Sequence, residues 1–227
     1  MKRIPTGLEK LDAQISGGIP EGFNVIISGK PGTAKSVMIH TLALNQLKAG
    51  YYCLFITTDR DKNQLLDEVP QFRPYYKKGK LIIIDAHSWK GMKNDGKHIL
   101  ASLANLNGLT IEILKIKEKL PKKQKVVICF DTLSEFFLWN DAQKMLRFIE
   151  IYCAKARIEN TLGFYVVDEG VPGEKTLMTL ESLTQVTIQM QEDEKQRFFT
   201  VDKIEATKEP TEKIFFDIND NGEVVLT

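Results

Sequence analysis

Asn24-Val25-Ile26-Ile27-Ser28-Gly29-Lys30-Pro31-Gly32-Thr33-Ala34-Lys35-Ser36 is the stretch that decides the reading of this chain. Asn24–Ser28 has the composition of a buried strand, and Lys35–Lys48 has the helical period of the segment that follows. Between them, Gly29 to Ser36 fits the pattern G-x-x-x-x-G-K-[ST] in all but one position. A strand that turns sharply into a helix lets backbone N–H groups converge on an anion, and the helix adds the positive end of its dipole. Gly29 and Gly32 give the turn its freedom. Lys35 reaches the β- and γ-phosphates of a nucleotide, which makes it a candidate catalytic residue, and the Ser36 hydroxyl is a candidate Mg²⁺ ligand. The loop therefore predicts a nucleoside di- or triphosphate (of the kind of ADP or ATP, its base left open) with Mg²⁺ as ligands, held by Gly29, Lys30, Pro31, Gly32, Thr33, Ala34, Lys35, Ser36 and Val37. Ala34 is the exception, standing where the pattern has its last glycine. A residue there is expected to adopt helical φ/ψ, in which case the methyl group is no obstacle.

Outward from the loop, strands and helices alternate. Tyr51–Thr57, Lys80–Asp85, Lys125–Phe130 and Leu162–Val167 read as strands. Lys62–Val69 reads as a helix opened by a capping box of Asp61 and Gln64. Ile99–Leu120 has a helical pattern, broken near Asn107-Gly108 and stopped by Pro121. Ala142, Met145, Leu146, Ile149, Tyr152, Cys153 and Ala156 form one apolar stripe, so Asp141–Glu159 reads as an amphipathic helix. Beyond Glu181 come Gln185–Gln191, Arg197–Ala206, Lys213–Ile218 and Glu223–Leu226, strands separated by turn signals such as Asn221-Gly222. The class is α/β: a mostly parallel sheet with helices on both faces and antiparallel C-terminal edge strands. Val126-Val127-Ile128-Cys129-Phe130-Asp131 is an apolar strand ending in a carboxylate. Such an ending is either a strand-end cap or the aspartate that holds a Mg²⁺ shell in phosphate-loop NTPases. Expected in a strand neighbouring that of the loop, Asp131 becomes the second metal candidate beside Ser36.

The 227 residues carry 31 basic and 30 acidic side chains, a net charge of +1. A whole-molecule basic field of the kind many nucleic-acid binders use is absent. With 43% hydrophobic and 27% charged residues, collagen-like and wholly disordered chains are excluded. Cys53, Cys129 and Cys153 lie in separate apolar runs without a C-x-x-C, which suits buried thiols in a reducing compartment rather than a disulfide scaffold or zinc site. Met1-Lys2-Arg3-Ile4-Pro5 leads into polar sequence without a signal peptide, and no apolar run approaches the roughly 20 residues of a bilayer span. A cytoplasmic protein with no membrane partner is expected. No repeat or linker divides it, so residues 1–227 read as a single domain. His40, His87 and His98 are scattered over different elements and read as structural.

Ile4-Pro5-Thr6-Gly7-Leu8-Glu9-Lys10-Leu11-Asp12, then Gly17-Gly18-Ile19-Pro20-Glu21-Gly22, then the loop, together resemble the opening of KaiC-like and RadA-like ATPases of the RecA superfamily. Phe130-Asp131-Thr132-Leu133-Ser134 is similar to the family's Walker B strand end, where Asp-Ser/Thr is usual. The resemblance implies a RecA-like P-loop NTPase core, ATP binding through a Walker A loop, magnesium, and a homo-oligomeric ring or a protein partner. It also implies a water-orienting glutamate after the second core strand. In Phe55-Ile56-Thr57-Thr58-Asp59-Arg60 that position is Asp59, one methylene shorter, with Arg60 placed to pair with it. Asp59 is thus either a candidate catalytic carboxylate or a helix-entry residue ahead of Asp61. The family's K-x-R stretch, which reaches a neighbouring subunit's γ-phosphate, matches Lys203-Ile204-Glu205-Ala206, with Glu205 in the arginine position. An arginine finger is worth about 10³–10⁵ in rate, and a positioned base about 10²–10⁴. Losing one and shortening the other predicts a slow or impaired Mg-dependent ATPase that keeps nucleotide binding and acts as a nucleotide-dependent regulatory switch.

Two other readings stand beside this one. A RadA-paralog-like, recombination-associated ATPase would bind DNA through loops at Thr132–Asn140 and Glu169–Leu177. Those segments hold Glu135, Glu169 and Glu174 against Lys175 alone, so nucleic acid is not favoured. Lys77-Lys78-Lys80 and Lys122-Lys123-Lys125 read as solvated turns. A regulatory scaffold would use Phe136-Phe137-Leu138-Trp139, which is either an exposed apolar loop or the start of a packed helix.

Overall fold

A computed structural model describes residues 1–88, 97–121, 124–193, 196–207, 210 and 212–227. The N-terminal arm holds β1 (Arg3–Ile4), α1 (Glu9–Gln14) and β2 (Ile19–Pro20). Then come β3 (Asn24–Gly29), α2 (Lys35–Lys48), β4 (Tyr52–Thr57) and α3 (Lys62–Glu68). A single 3₁₀ turn (Pro70–Phe72) leads to α4 (Arg73–Lys77) and β5 (Leu81–Asp85). The middle of the chain forms α5 (Leu106–Lys119), β6 (Val126–Asp131), α6 (Leu133–Trp139), α7 (Ala142–Glu159) and β7 (Leu162–Asp168). It closes with α8 (Glu174–Leu183), β8 (Val186–Glu192), β9 (Arg197–Ile204), β10 (Ile214–Ile218) and β11 (Val224–Leu226).

Nine strands form one sheet in the order β11-β10-β9-β8-β3-β7-β6-β4-β5. Successive side chains on a strand point to opposite faces, and here both faces are buried. Val25, Ile27, Cys53, Phe55, Val127 and Cys129 face the core that α2 covers with Met38, Ile39 and Leu42. Ile26, Leu54, Ile56, Ile128 and Phe130 face the core under α5 and α7, lined by Ile113, Met145 and Ile149. Phe130 stacks on Tyr165 with centroids 5.4 Å apart. The three cysteine thiols are buried, with Cys53 Sγ 3.9 Å from Cys129 Sγ, and burial pushes the Cys153 thiol up to about 12. No helix among the described residues is long and apolar enough to cross a membrane.

Several expectations change. Gln185–Gln191 was expected among the antiparallel edge strands, yet β8 runs parallel to β3, and the antiparallel C-terminal edge is built by β9, β10 and β11 added beyond it. β6 does not neighbour β3, because β7 lies between them in register with both. The helix expected over Ile99–Leu120 begins only at Leu106. Before it, Ile99 bridges Asp85 at the end of β5, and backbone pairing there outweighs helical pattern. Asn105 then caps α5, its side chain accepting the Gly108 N–H at 2.8 Å. Thr132–Asn140 is no loop: Thr132 caps α6, which buries Leu133 and Phe136 and leaves Leu138 and Trp139 exposed. The second expected loop ends at Gly173, where α8 begins. Lys77 and Lys78 are exposed at the end of α4, whereas Lys122 and Lys123 lie outside the described residues.

The N-terminal motif residues meet one another. The Asp12 carboxylate accepts the Thr6 N–H, the Thr6 hydroxyl and the Gly7 N–H at 2.8, 2.8 and 3.0 Å. Asn45 and Gln46 of α2 donate to the Thr6 and Pro5 carbonyls at 3.1 and 2.7 Å. The arm is thereby fastened to the C-terminal end of the helix that the loop opens.

Candidate functional site

The loop leaves the C-terminal end of β3 and enters α2 at the same edge where β4, β6 and β7 end, the crevice that open α/β sheets use for ligands. Gly29 has φ 154°, and a Cβ there would lie 2.4 Å from the Met190 carbonyl oxygen of β8, so no other residue fits. Ala34 corrects the expectation placed on it. Its φ of 65° and ψ of 28° are left-handed, not helical, because it is the N-cap through which the chain must turn into α2. Its carbonyl accepts the Met38 N–H at 3.0 Å, while its methyl group bears a conformation that costs an L-residue about 1–2 kcal/mol.

The loop closes around the Lys30 carbonyl. That oxygen accepts the Lys35 ammonium at 2.6 Å, the Thr33 hydroxyl at 2.9 Å and the Thr33 N–H at 3.3 Å. Lys35 is buried, and its Nζ also lies 2.9 Å from Asp168 Oδ1 at the end of β7. Ser36 Oγ donates to Asp131 Oδ1 at 2.9 Å, joining the start of α2 to the end of β6 across 95 positions of sequence.

Asp131 is wholly buried. His40 Nε2 and Arg60 Nη1 lie 3.1 and 3.2 Å from its Oδ2. Burial alone would push this carboxyl up; the His40 hydrogen bond and charge, with Arg60 and Ser36, overcome it and hold the group below the usual carboxylate range. Arg60 was expected to pair with Asp59. It instead bridges Asp131 and Glu68, with Nε 2.7 Å from Glu68 Oε2. Asp59 is exposed at the mouth of the cleft and accepts the Thr58 hydroxyl at 3.2 Å. Partial desolvation pushes its carboxyl up, and the Asp131 charge adds to this.

A cleft of about 410 Å³ gathers Pro31, Gly32, Ala34, Lys35, Ser36 and Val37 with Asp59, Thr132 and Asp168. Gly29, Lys30 and Thr33 belong to the same loop. Ser36 Oγ and Asp131 Oδ1 are hard oxygens of the kind Mg²⁺ takes, but they number two. Among the described residues no group of three metal-ligating carboxylates, histidines or cysteines exists, so the pair fits a cation whose shell phosphate oxygens and water complete. Lys203 and Glu205 sit elsewhere. β9 runs antiparallel to β8, which puts Lys203 opposite Thr187, at the end of the sheet away from the loop. Lys203 donates to the Thr184 carbonyl at 2.6 Å, and Glu205 pairs at 3.6 Å with both Lys203 and Arg157.

The protein-family profile of the KaiC ATPase matches residues 4–227, nearly the whole chain. The chain belongs to the KaiC family of ATPases. A UPF0273 protein of Pyrococcus horikoshii is 25% identical to it over 235 residues, covering 99% of this chain and 94% of that one. The circadian clock oscillator protein KaiC of Prochlorococcus marinus is 27% identical over 188 residues, covering 81% of this chain and 34% of that longer protein. The structure of a KaiC-like protein from Pyrococcus horikoshii superposes with a TM-score of 0.78 at 18% identity, covering 100% of this chain and 99% of the other, which extends the likeness to the fold.

In this KaiC-family chain, sequence reasoning missed the roles of three residues that contact Asp131 or Lys35. His40 read as structural; its place one turn after Ser36 on the same helix was the available signal. Arg60 read as a partner of Asp59. Asp168 lay just beyond the end of the strand expected at Leu162–Val167, and its Val-Val-Asp ending repeats the apolar-strand-to-carboxylate pattern that singled out Asp131.

Proposed function

We propose that this protein binds a nucleoside triphosphate or diphosphate at the loop 29–36, with Mg²⁺, and acts as a nucleotide-dependent regulatory switch with slow or impaired hydrolysis. The observation that carries the reading is that Lys35 and Ser36 line one cleft, with the buried Asp131 joined to it through Ser36, whose Oγ lies 2.9 Å from Asp131 Oδ1. Lys35 would take phosphate oxygens, the first N–H groups of α2 would face the anion, and Ser36 with Asp131 would hold the metal side. Mg²⁺ when bound supplies charge neutralisation between phosphates. Membership of the KaiC ATPase family supports nucleotide as the ligand. Weak turnover is supported by Asp59, which is exposed with its carboxyl pushed up, and, away from the cleft, by Glu205, a negative charge where the resemblance places an arginine. We take residues 1–227 as one such domain, in the cytoplasm, alone or in a ring.

The test is titration of wild type and Lys35→Ala with a fluorescent ATP analogue and Mg²⁺, alongside phosphate release. Wild type should bind and release phosphate slowly, and the variant should lose binding by about 10² or more, the order of a close charge pair in a partly buried site. Equal affinity in the two proteins would sink the assignment of the loop. The recombination reading has less support, since α6 carries Glu135 and no lysine or arginine.

A further inference from the structure

Among the described residues Asp168 is the carboxylate in the cleft that pairs with the loop lysine, and the nucleotide reading gives it no part. We propose that Asp168 sets the ligand class of the site by occupying the γ-phosphate side of Lys35, so that the protein prefers nucleoside diphosphates to triphosphates. This rests on the loop binding a nucleotide at all.

The carboxylate is built in. The Asp168 N–H donates to Ser134 Oγ at 2.7 Å, its carbonyl accepts the Val171 N–H at 3.1 Å, and its neighbour Glu169 donates its N–H to the Gly29 carbonyl at 3.0 Å. Asp168 is thus fixed by backbone to α6, to its own turn and to the first residue of the loop. Its side chain is 30% exposed against 5% for Lys35, so it approaches the buried ammonium from the cleft side, at 2.9 Å.

The consequence is a contest for one cation. A phosphate loop holds the β-phosphate mainly by backbone N–H groups, while its lysine reaches on to the γ-phosphate. A diphosphate can take the N–H groups and a share of Lys35 while Asp168 stays in place. A third phosphoryl group lies beyond the loop, toward the ends of β6 and β7, where Asp168 and Thr132 line the cleft. It must displace the carboxylate from Lys35 or sit beside it as a like charge. Arg60 does not offset that charge, being bridged between Asp131 and Glu68.

The experiment measures dissociation constants for ADP and a non-hydrolysable ATP analogue, with Mg²⁺, on wild type, Asp168→Asn and Asp168→Ser. Thermal unfolding confirms that each variant is folded. Wild type should bind the diphosphate about tenfold tighter, and the variants should shift the ratio toward the triphosphate by about tenfold, the size of one close charge–charge contact at a half-solvated site. An unchanged ratio overturns the proposal, and so does a loss of triphosphate affinity in the variants, which would make Asp168 a metal ligand. Wild type that binds neither nucleotide fails the loop assignment itself, and this is distinguishable because no ratio then exists.

Discussion

Ala34 shows how a single methyl group records the demands of a loop. The chain needs a positive φ where it enters α2, and an alanine meets that need at a cost glycine would not bear. Ala34→Gly should therefore raise stability by about 1 kcal/mol, net of the extra freedom glycine has in the unfolded chain. In a domain of this size that is a rise of about 2–4 °C in melting temperature, readable by circular dichroism. A fall would mean that the methyl group packs against something worth more than the strain. The residue pattern around Ala34 was legible, whereas its conformation was not: sequence gives the position of the last pattern glycine but not which side of the helix boundary it falls on. Arg60 and His40 teach the same lesson. Their partner Asp131 is supplied by a distant strand, at 71 and 91 positions' remove; His40 has only its place one turn after Ser36 to hint at it, and Arg60 has no local signal.

At the scale of elements, the strands and caps were the most readable part. Lys35–Lys48 is helical over the expected bounds, and Asp61 and Gln64 form the expected capping box: Asp61 Oδ1 accepts the Asn63 and Gln64 N–H groups at 2.7 and 2.9 Å. Gln64 Oε1 returns the favour to the Asp61 N–H at 2.9 Å. Asp61→Ala should cost about 1 kcal/mol, seen as a melting temperature lower by about 2–4 °C, while Asp61→Asn should keep most of the cap. Equal loss in both variants would show that charge rather than capping is at work. Elements that depend on distant pairing were less readable. Residues 99–105 carry helical spacing, yet Ile99 bridges β5 and α5 starts only at Leu106, while α6 and the start of α8 occupy segments that the recombinase-like reading takes as loops.

For the whole molecule, alternation of strands and helices reveals the class but not the strand order. β7, made late in the chain, inserts between β3 and β6, so the link from loop to Asp131 runs through α2 rather than between adjacent strands. That link gives stability a pH dependence. The folded Asp131 carboxyl is held below the value of about 3.9 it has when unfolded, so its contribution is full above that value and fades as pH falls through the lower one. The urea midpoint should hold between pH 7 and 5 with respect to this group and fall below pH 4. Arg60→Gln, which removes one cation from the carboxylate, should flatten that acid limb; an unaltered limb would assign it to other carboxylates.

The arm and the far end of the sheet both fasten to α2. Thr6 and Pro5 are held by Asn45 and Gln46, and the Val224 N–H of β11 donates to Thr41 Oγ1 at 2.9 Å across 183 positions. Read in time rather than space, this fixes when the loop helix is finished. A ribosome adding about 5–20 residues per second needs on the order of ten seconds or more between exposing Thr41 and supplying its last partner. Through that interval the helix bearing Lys35 and Ser36 has its first anchors but not its final one, and the nascent chain acquires its complete seat for α2 only as β11 arrives.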